Sequence, residues 1–268
     1  MKINKNAICA LIAVVLVAVF LNVTVVLASG ELYLPSDDAM ADVSSTLNAA
    51  RESNKLVLVV MGANWCHDSR ALASRLYQQP LNTLIDEHYE TVFIDVGFLD
   101  KGEDVISSIG PPVYYATPTV LIVDPVSGRL VNADNRHQWG DAYNISMEES
   151  IEYFQLMAAA DLAALRSIEE VAGELMELLA EIDSFERLQA DRVYNAYAVV
   201  GPLLAAYKAG EKPEHFEDYW NEVRDYRMQV PRDLDALRIE ARERVSSGEM
   251  EIELEYPEYP AFSWEIEN

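Results

Sequence analysis

Residues 57–70 read VLVVMGANWCHDSR, and the fold turns on them. The run LVLVVM at 56–61 is apolar and rich in branched side chains. Its length is that of a strand buried on both faces, not of a helix. Gly62, Ala63 and Asn64 end the run, and Trp65-Cys66-His67-Asp68-Ser69 opens a stretch that reads as helix to about 89. Pro80 is expected to kink or interrupt that helix, because proline removes an N–H and clashes with the preceding turn. A cysteine at such a strand-to-helix turn faces the unpaired N–H groups of the helix's first turn.

Outward from this turn the pattern alternates. Residues 36–55 read as a helix, with Ser36, Asp37 and Asp38 as cap chemistry and Ala39, Val43, Leu47 and Ala50 at helical spacing. TVFIDV at 91–96 and TVLIV at 119–123 are two more strands, with a short helix at 103–109 between them. A turn at 124–128 (DPVSG) leads to an expected fourth strand at 129–133, closing a hairpin. Strands separated by helices make an α/β layout.

The chemistry gathers at Cys66. Helix N-termini favour the thiolate, which is the nucleophilic form, so the position makes a reactive cysteine without a dedicated base. The bland alternative is a small buried hydrophobe. Ser69 lies one turn on; its hydroxyl is placed to donate to the sulfur but cannot form a disulfide with it. His67 is either a proton shuttle or an exposed first-turn residue, and Asp68 reads as an acid favoured by the helix's first turn. The other histidines, His88, His137 and His215, show no metal spacing, so neither a metal nor a cofactor is implied. The loop from Arg136 to Gly140 flanks the active turn or is a plain loop. Pro111, Pro112, Tyr114 and Tyr115 line a peptide groove or pack the approach to 116–120.

The stretch VLVVMGANWCHDSR resembles the strand, W-C-x-x-C turn and helix of the thioredoxin superfamily. Ala116-Thr117-Pro118-Thr119-Val120 is similar to that family's loop, in which a cis-proline faces the active cysteine. The resemblance covers about 36–159. It implies a cis Pro118, a Thr117 backbone that pairs with a bound peptide or thiol, and Trp65 beside the substrate. Three departures matter. Ser69 stands where the family carries its resolving cysteine, so a mixed disulfide on Cys66 needs an outside thiol for release. Val60 stands where many members carry a buried acid. Pro80 falls later than the family's usual kink, which implies a longer insertion.

From about 147 the character changes. Residues 150–209 are rich in Leu, Ala and Glu at helical spacing, with Leu162, Leu165, Ile168, Val171, Leu175, Leu178, Leu179 and Ile182 as an apolar stripe. Two further helices are expected at 215–228 and 232–245, split by Pro231. The tail, 249–268, mixes acids with Tyr256, Tyr259, Phe262 and Trp264; it offers a partner surface or docks back on the body. The division expected is 1–30 leader, 31–159 thioredoxin-like domain, 160–248 helical domain and 249–268 acidic aromatic tail.

Lys2 and Lys5 followed by the apolar run 7–21 and its extension to 28 read as an export signal, cleaved near 28–30 or kept as an anchor. The body is then exported, to a bacterial periplasm or cell envelope. With 45 acidic against 20 basic residues and a net charge of −25, nucleic acid is excluded as a partner, and a membrane is met only through the leader. The two cysteines are Cys9, in the leader, and Cys66, so the body carries one thiol. The expected function is monothiol thiol–disulfide exchange through Cys66, with protein thiols or low-molecular-weight thiols as partners. The alternative is a binding module that retains clients or has lost its chemistry.

Overall fold

The computed structural model describes residues 31–133, 135–167 and 173–266. Residues 1–30 with Cys9, where the sequence pattern predicts a leader, and Ile168 and Val171 of the apolar stripe, lie outside the described residues. Among the described residues no helix is long and apolar enough to cross a membrane.

The elements follow the sequence closely up to β3. Helix α1 is Ala39–Ser53, with Asp38 as its N-cap accepting from the Ala41 N–H. Strand β1 is Leu56–Gly62. Helices α2 (His67–Leu76) and α3 (Leu81–His88) replace the single interrupted helix, with Pro80 capping the second. Strand β2 (Tyr89–Asp95), helix α4 (Glu103–Ile109) and strand β3 (Thr119–Val123) complete the α/β part. The sheet order is β2-β1-β3, with β2 parallel and β3 antiparallel to β1. Every residue of β1 is buried. Val57, Val59 and Met61 face one core, and Leu56, Leu58 and Val60 face the other.

The fourth strand expected at 129–133 shrinks to one bridge, Val123 to Leu130, flanked by two backbone bonds: the Asp124 N–H donates to the Arg129 carbonyl (3.0 Å) and the Val131 N–H to the Ile122 carbonyl (2.7 Å). The reason is Asn132. Its side-chain amide accepts from the Ile122 N–H (2.8 Å) and donates to the Val120 carbonyl (2.9 Å). Beyond Val131 the edge of β3 is thus satisfied by a side chain where a strand backbone would have served. Asp124, buried in the preceding turn, accepts from the Val126 and Ser127 N–H groups and binds Arg166 through both oxygens at 2.7 Å.

Helices α5 (Met147–Ala158) and α6 (Leu162–Ser167) lead to two long helices, α7 (Glu174–Lys208) and α8 (Phe216–Ser246). Pro231 does not split α8 as expected. An interior proline costs about 3 kcal/mol. Here that cost is offset by burial of Val223, Tyr226, Val230, Leu234 and Leu237, at about 1.5–3 kcal/mol for each fully buried side chain. The tail docks back on this pair and ends in α9 (Ser263–Ile266). Arg192 lies between the Tyr226 and Phe262 rings (4.8 and 4.5 Å) and donates to the Tyr259 carbonyl, while the Tyr259 hydroxyl donates to Asp233 (2.9 Å).

The helices and the α/β part share one core. Tyr114, just before the Pro118 loop, stacks on Tyr197 of α7 at 5.5 Å, and the Tyr197 hydroxyl donates to the Tyr114 carbonyl (2.9 Å). Buried Glu186 accepts from Arg136 of the loop after β3 (3.1 Å) and from Arg238 of α8. Gly201 allows a close approach of α7 to the α/β part: a Cβ there would lie 2.4 Å from the Phe98 carbonyl oxygen.

Candidate active site around Cys66

Cys66 is the residue at which β1's turn becomes α2. It is the N-cap, with extended backbone (φ −84°, ψ 128°), and its side chain makes no cap hydrogen bond. The sulfur is therefore free to point elsewhere. It donates to the Thr117 carbonyl at 3.1 Å, and the residue as a whole is buried, 8% exposed. The Thr117–Pro118 peptide is cis. The Thr119 hydroxyl closes the loop by donating to the Ala116 carbonyl (2.7 Å).

The turn is braced from several sides. Trp65 donates from its indole to the Gly97 carbonyl (2.6 Å), stacks on Phe98 and meets Trp220 of α8 edge-on at 6.2 Å. Asn64 clamps the chain ahead of α1: its Oδ1 accepts from the Leu32 and Tyr33 N–H groups, and its amide donates to the Tyr33 carbonyl. Tyr33 is wholly buried, and its hydroxyl donates to the Ser69 carbonyl (3.1 Å). Burial, and next the neighbouring Cys66, push the Tyr33 phenol well above its usual range.

Ser69 differs from the expectation. It is fully buried, and its hydroxyl makes no hydrogen bond to the sulfur or to any other described group. It is packed beneath the turn, where a Cβ on Gly62 would come within 2.7 Å of both Ser69 Oγ and the Tyr33 ring. The first turn of α2 sets the Ser69 hydroxyl against Gly62 and Tyr33, with no hydrogen bond to the Cys66 sulfur. His67 is exposed, with Nε2 3.1 Å from Asp68 Oδ2 and its ring edge-on to Tyr143 at 5.5 Å. Asp68 is buried and accepts from the Tyr143 N–H (2.9 Å), so it fixes the loop opposite as well as the helix start. Val60 is enclosed by apolar neighbours.

Cys66 opens on a cavity of about 770 Å³. One wall is the Cys66 turn with Ala116 and Thr117, another is His137, Gln138 and Gly140, and the third comes from α7 and α8. The loop from Arg136 to Gly140 thus flanks the active turn, as one of the two readings had it. Tyr115 also borders the cavity, 2% exposed, with a hydroxyl that has no partner among the described residues. Burial, chiefly, holds that phenol protonated. His137 is edge-on to Tyr115 at 5.6 Å, and its Nε2 is likewise unpartnered among the described residues. Burial, then the charges of Arg136 and Arg238, push His137 down to about 3. Pro111 and Pro112 lie away from the sulfur, on a separate hollow with Arg136 and Glu186. Among the described residues no group of three or more His, Cys, Asp or Glu is placed to hold a metal ion.

The α8 wall was missed in the sequence. Trp220, Arg224, Arg227, Met228 and Arg232 fall on one helix face and all border the cavity. Their spacing was legible, but only a fold that brings α8 over the Cys66 turn gives it meaning.

Residues 38–125 match the family described as thioredoxin-like. A solved structure of a disulphide isomerase from Xylella fastidiosa Temecula1 is 32% identical; the match covers 47% of this chain and 98% of that chain, with a TM-score of 0.43. No curated protein matches. The matched segment contains the buried strand, the Trp-Cys turn, the helix and the Pro118 loop described above, and the chain belongs to the thioredoxin superfamily.

Proposed function

We propose that this protein carries out thiol–disulfide exchange through Cys66 as a monothiol. The observation that carries the reading is the sulfur's position. It sits at the start of α2, against the Thr117 carbonyl, at the edge of a cavity large enough for a substrate. The Cys66 thiolate attacks one sulfur of a disulfide, forming a mixed disulfide and expelling the other half as a thiolate, which takes up a proton. A second, external thiol then attacks the mixed disulfide and frees Cys66. No oxidant or reductant is consumed beyond the exchanging partners. Trp65 and Thr117 flank the incoming sulfur, with Pro118 shaping the loop, and exposed His67 is the proton acceptor of this scheme. Ser69 has no part in the chemistry and serves the packing beneath the turn. The leader pattern supports export to the cell envelope.

Retention of clients is favoured by one specific observation. Cys66 is the one free cysteine among the described residues, and Ser69 carries no thiol, so nothing in the turn resolves a mixed disulfide. Its lifetime then depends on the external thiol.

The test is mass spectrometry of the protein with hydroxyethyl disulfide, followed by mercaptoethanol. The adduct is expected on the peptide containing Cys66, to be absent from Cys66→Ser, and to disappear with added thiol. An unmodified Cys66 after prolonged exposure sinks the exchange reading. An adduct that resists added thiol leaves the retaining module in its place.

A further inference from the structure

The cavity wall opposite Cys66 is cationic in a chain that is otherwise strongly acidic. Lys208, at the end of α7, and Arg224, Arg227 and Arg232 of α8 all border it. Arg224 pairs with its neighbour Asp225. The other arginines of this region are held by carboxylates elsewhere: Arg238 by Asp183 and Glu186, and Arg244 by Glu240 and Glu249. Lys208, Arg227 and Arg232 have no carboxylate partner among the described residues. Lys208 rests on the Tyr207 ring (5.8 Å), and the Arg227 guanidinium lies over Trp220 (5.2 Å).

With 45 acids for 20 bases, a lysine or arginine of this chain has carboxylates in excess around it. Other cations without an ion pair, such as Arg51, Arg70 and Arg75, donate instead to backbone carbonyls; Lys208, Arg227 and Arg232 differ in bordering one cavity together. Arg227 is the sharpest case, since its Nη1 is buried and has no hydrogen-bond partner among the described residues. A buried donor left open is costly unless a ligand fills it. Tyr115, on the same cavity, adds a second buried and unpartnered polar group. Three carboxylates also border the space: Asp68, Asp141 and Glu217. Asp68 is engaged by Tyr143 and His67, and Asp141 by Asn144. None of the three forms an ion pair with Lys208, Arg227 or Arg232 among the described residues.

We infer that the α7–α8 wall is a subsite for the carboxylates of a small anionic thiol or disulfide whose sulfur meets Cys66. This rests on the exchange reading above and names its substrate class. A small molecule fits better than a protein strand, because about 770 Å³ is the size of a small-ligand site and α7 and α8 wall the same space that Cys66 borders. Aromatic and cationic groups together, Trp220 with Arg227, suit a flexible chain ending in carboxylates.

The experiment compares two disulfides on the full chain: dithiodipropionate, which is anionic, and hydroxyethyl disulfide, which is neutral. The rate of adduct formation on the Cys66 peptide is divided in each case by the rate for N-acetylcysteine. The anionic disulfide is expected to be favoured by roughly fivefold. That ratio falls toward one in Lys208→Gln/Arg232→Gln, whose replaced side chains are both exposed, and falls further when Arg227→Gln is added. A ratio of one or below in the native chain, or a ratio untouched by the exposed pair of substitutions, overturns the subsite. If Cys66 reacts with neither disulfide, the exchange reading fails by itself. The subsite is then judged by tryptophan fluorescence with thiodipropionate, an unreactive dicarboxylate, against thiodiglycol, its neutral counterpart. Saturable binding of the dicarboxylate alone upholds the subsite, and binding of both or of neither overturns it.

Discussion

His137 gives the chain a built-in sensitivity to mild acid, and replacing it with phenylalanine removes that sensitivity. In the folded protein burial and the nearby Arg136 and Arg238 push its pKa down to about 3, whereas an unfolded histidine titrates near 6.5. Because the folded value is the lower one, the unfolded chain takes up a proton that the folded chain refuses. The stabilisation is therefore complete above the unfolded value and is lost as pH falls toward the folded one. Each unit is worth about 1.4 kcal/mol, so by pH 5 the loss reaches about 2 kcal/mol. The figure is insensitive to the folded value, since at pH 5 a group titrating anywhere below about 4 is already neutral. The assay is urea unfolding of the native chain and of His137→Phe at pH 7 and pH 5. Carboxylates and the other histidines titrate in both proteins and cancel in the comparison. The native chain is expected to lose about 2 kcal/mol more than the variant between the two pH values. A difference below about 0.5 kcal/mol would refute the reasoning, because it would mean that His137 accepts its proton in place.

Gly201→Ala puts a methyl group 2.4 Å from the Phe98 carbonyl, a backbone atom that must move, and is expected to cost about 2 kcal/mol in urea unfolding. An unchanged midpoint would show that α7 does not need this approach. Ser69→Ala removes a hydroxyl that has no described partner, so iodoacetamide is expected to alkylate Cys66 within about twofold of the native rate. A larger change would mean that the hydroxyl does reach the sulfur. Asp124→Asn breaks the two-oxygen contact with Arg166 and is expected to cost about 2 kcal/mol at neutral pH. Those bonds hold Asp124 well below the usual carboxylate range. The native advantage is therefore present above an ordinary aspartate's pKa and shrinks as pH falls below it, so a gap between the two proteins that is constant from pH 7 to pH 3 contradicts this account.

Local signals carried the α/β part. The apolar run of β1, the caps of α1 and the Pro80 break act over a few residues, and each appears in the structure where the pattern put it. What failed was competition from afar. Residues 129–133 have strand composition, but Asn132 offers β3 a side-chain partner, which no periodicity encodes. Pro231 is a helix breaker until α7 lies along it. Cys66 and Thr117 were found together because the turn and the proline loop each leave a short pattern. Ser69 is one helical turn from Cys66, yet its hydroxyl packs against Gly62 and Tyr33 and makes no bond to the sulfur, a tertiary contact that spacing does not encode. His137 and the cations of α8 needed the tertiary arrangement before they became part of a site.

Tyr114 stands three residues before Thr117, whose carbonyl faces the sulfur, and it is bonded and stacked to Tyr197. The loop beside Cys66 is thereby anchored to a helix that the basic fold does not include. In a lineage of such chains the two halves are not free to drift apart. A change at 197 is felt at 114 and, through it, at the active turn, so the two positions are expected to co-vary among relatives. A recombination event that exchanged the helices for another extension would have to bring its own version of residues 113–115 with it, or inherit a cysteine whose facing carbonyl had lost its anchor.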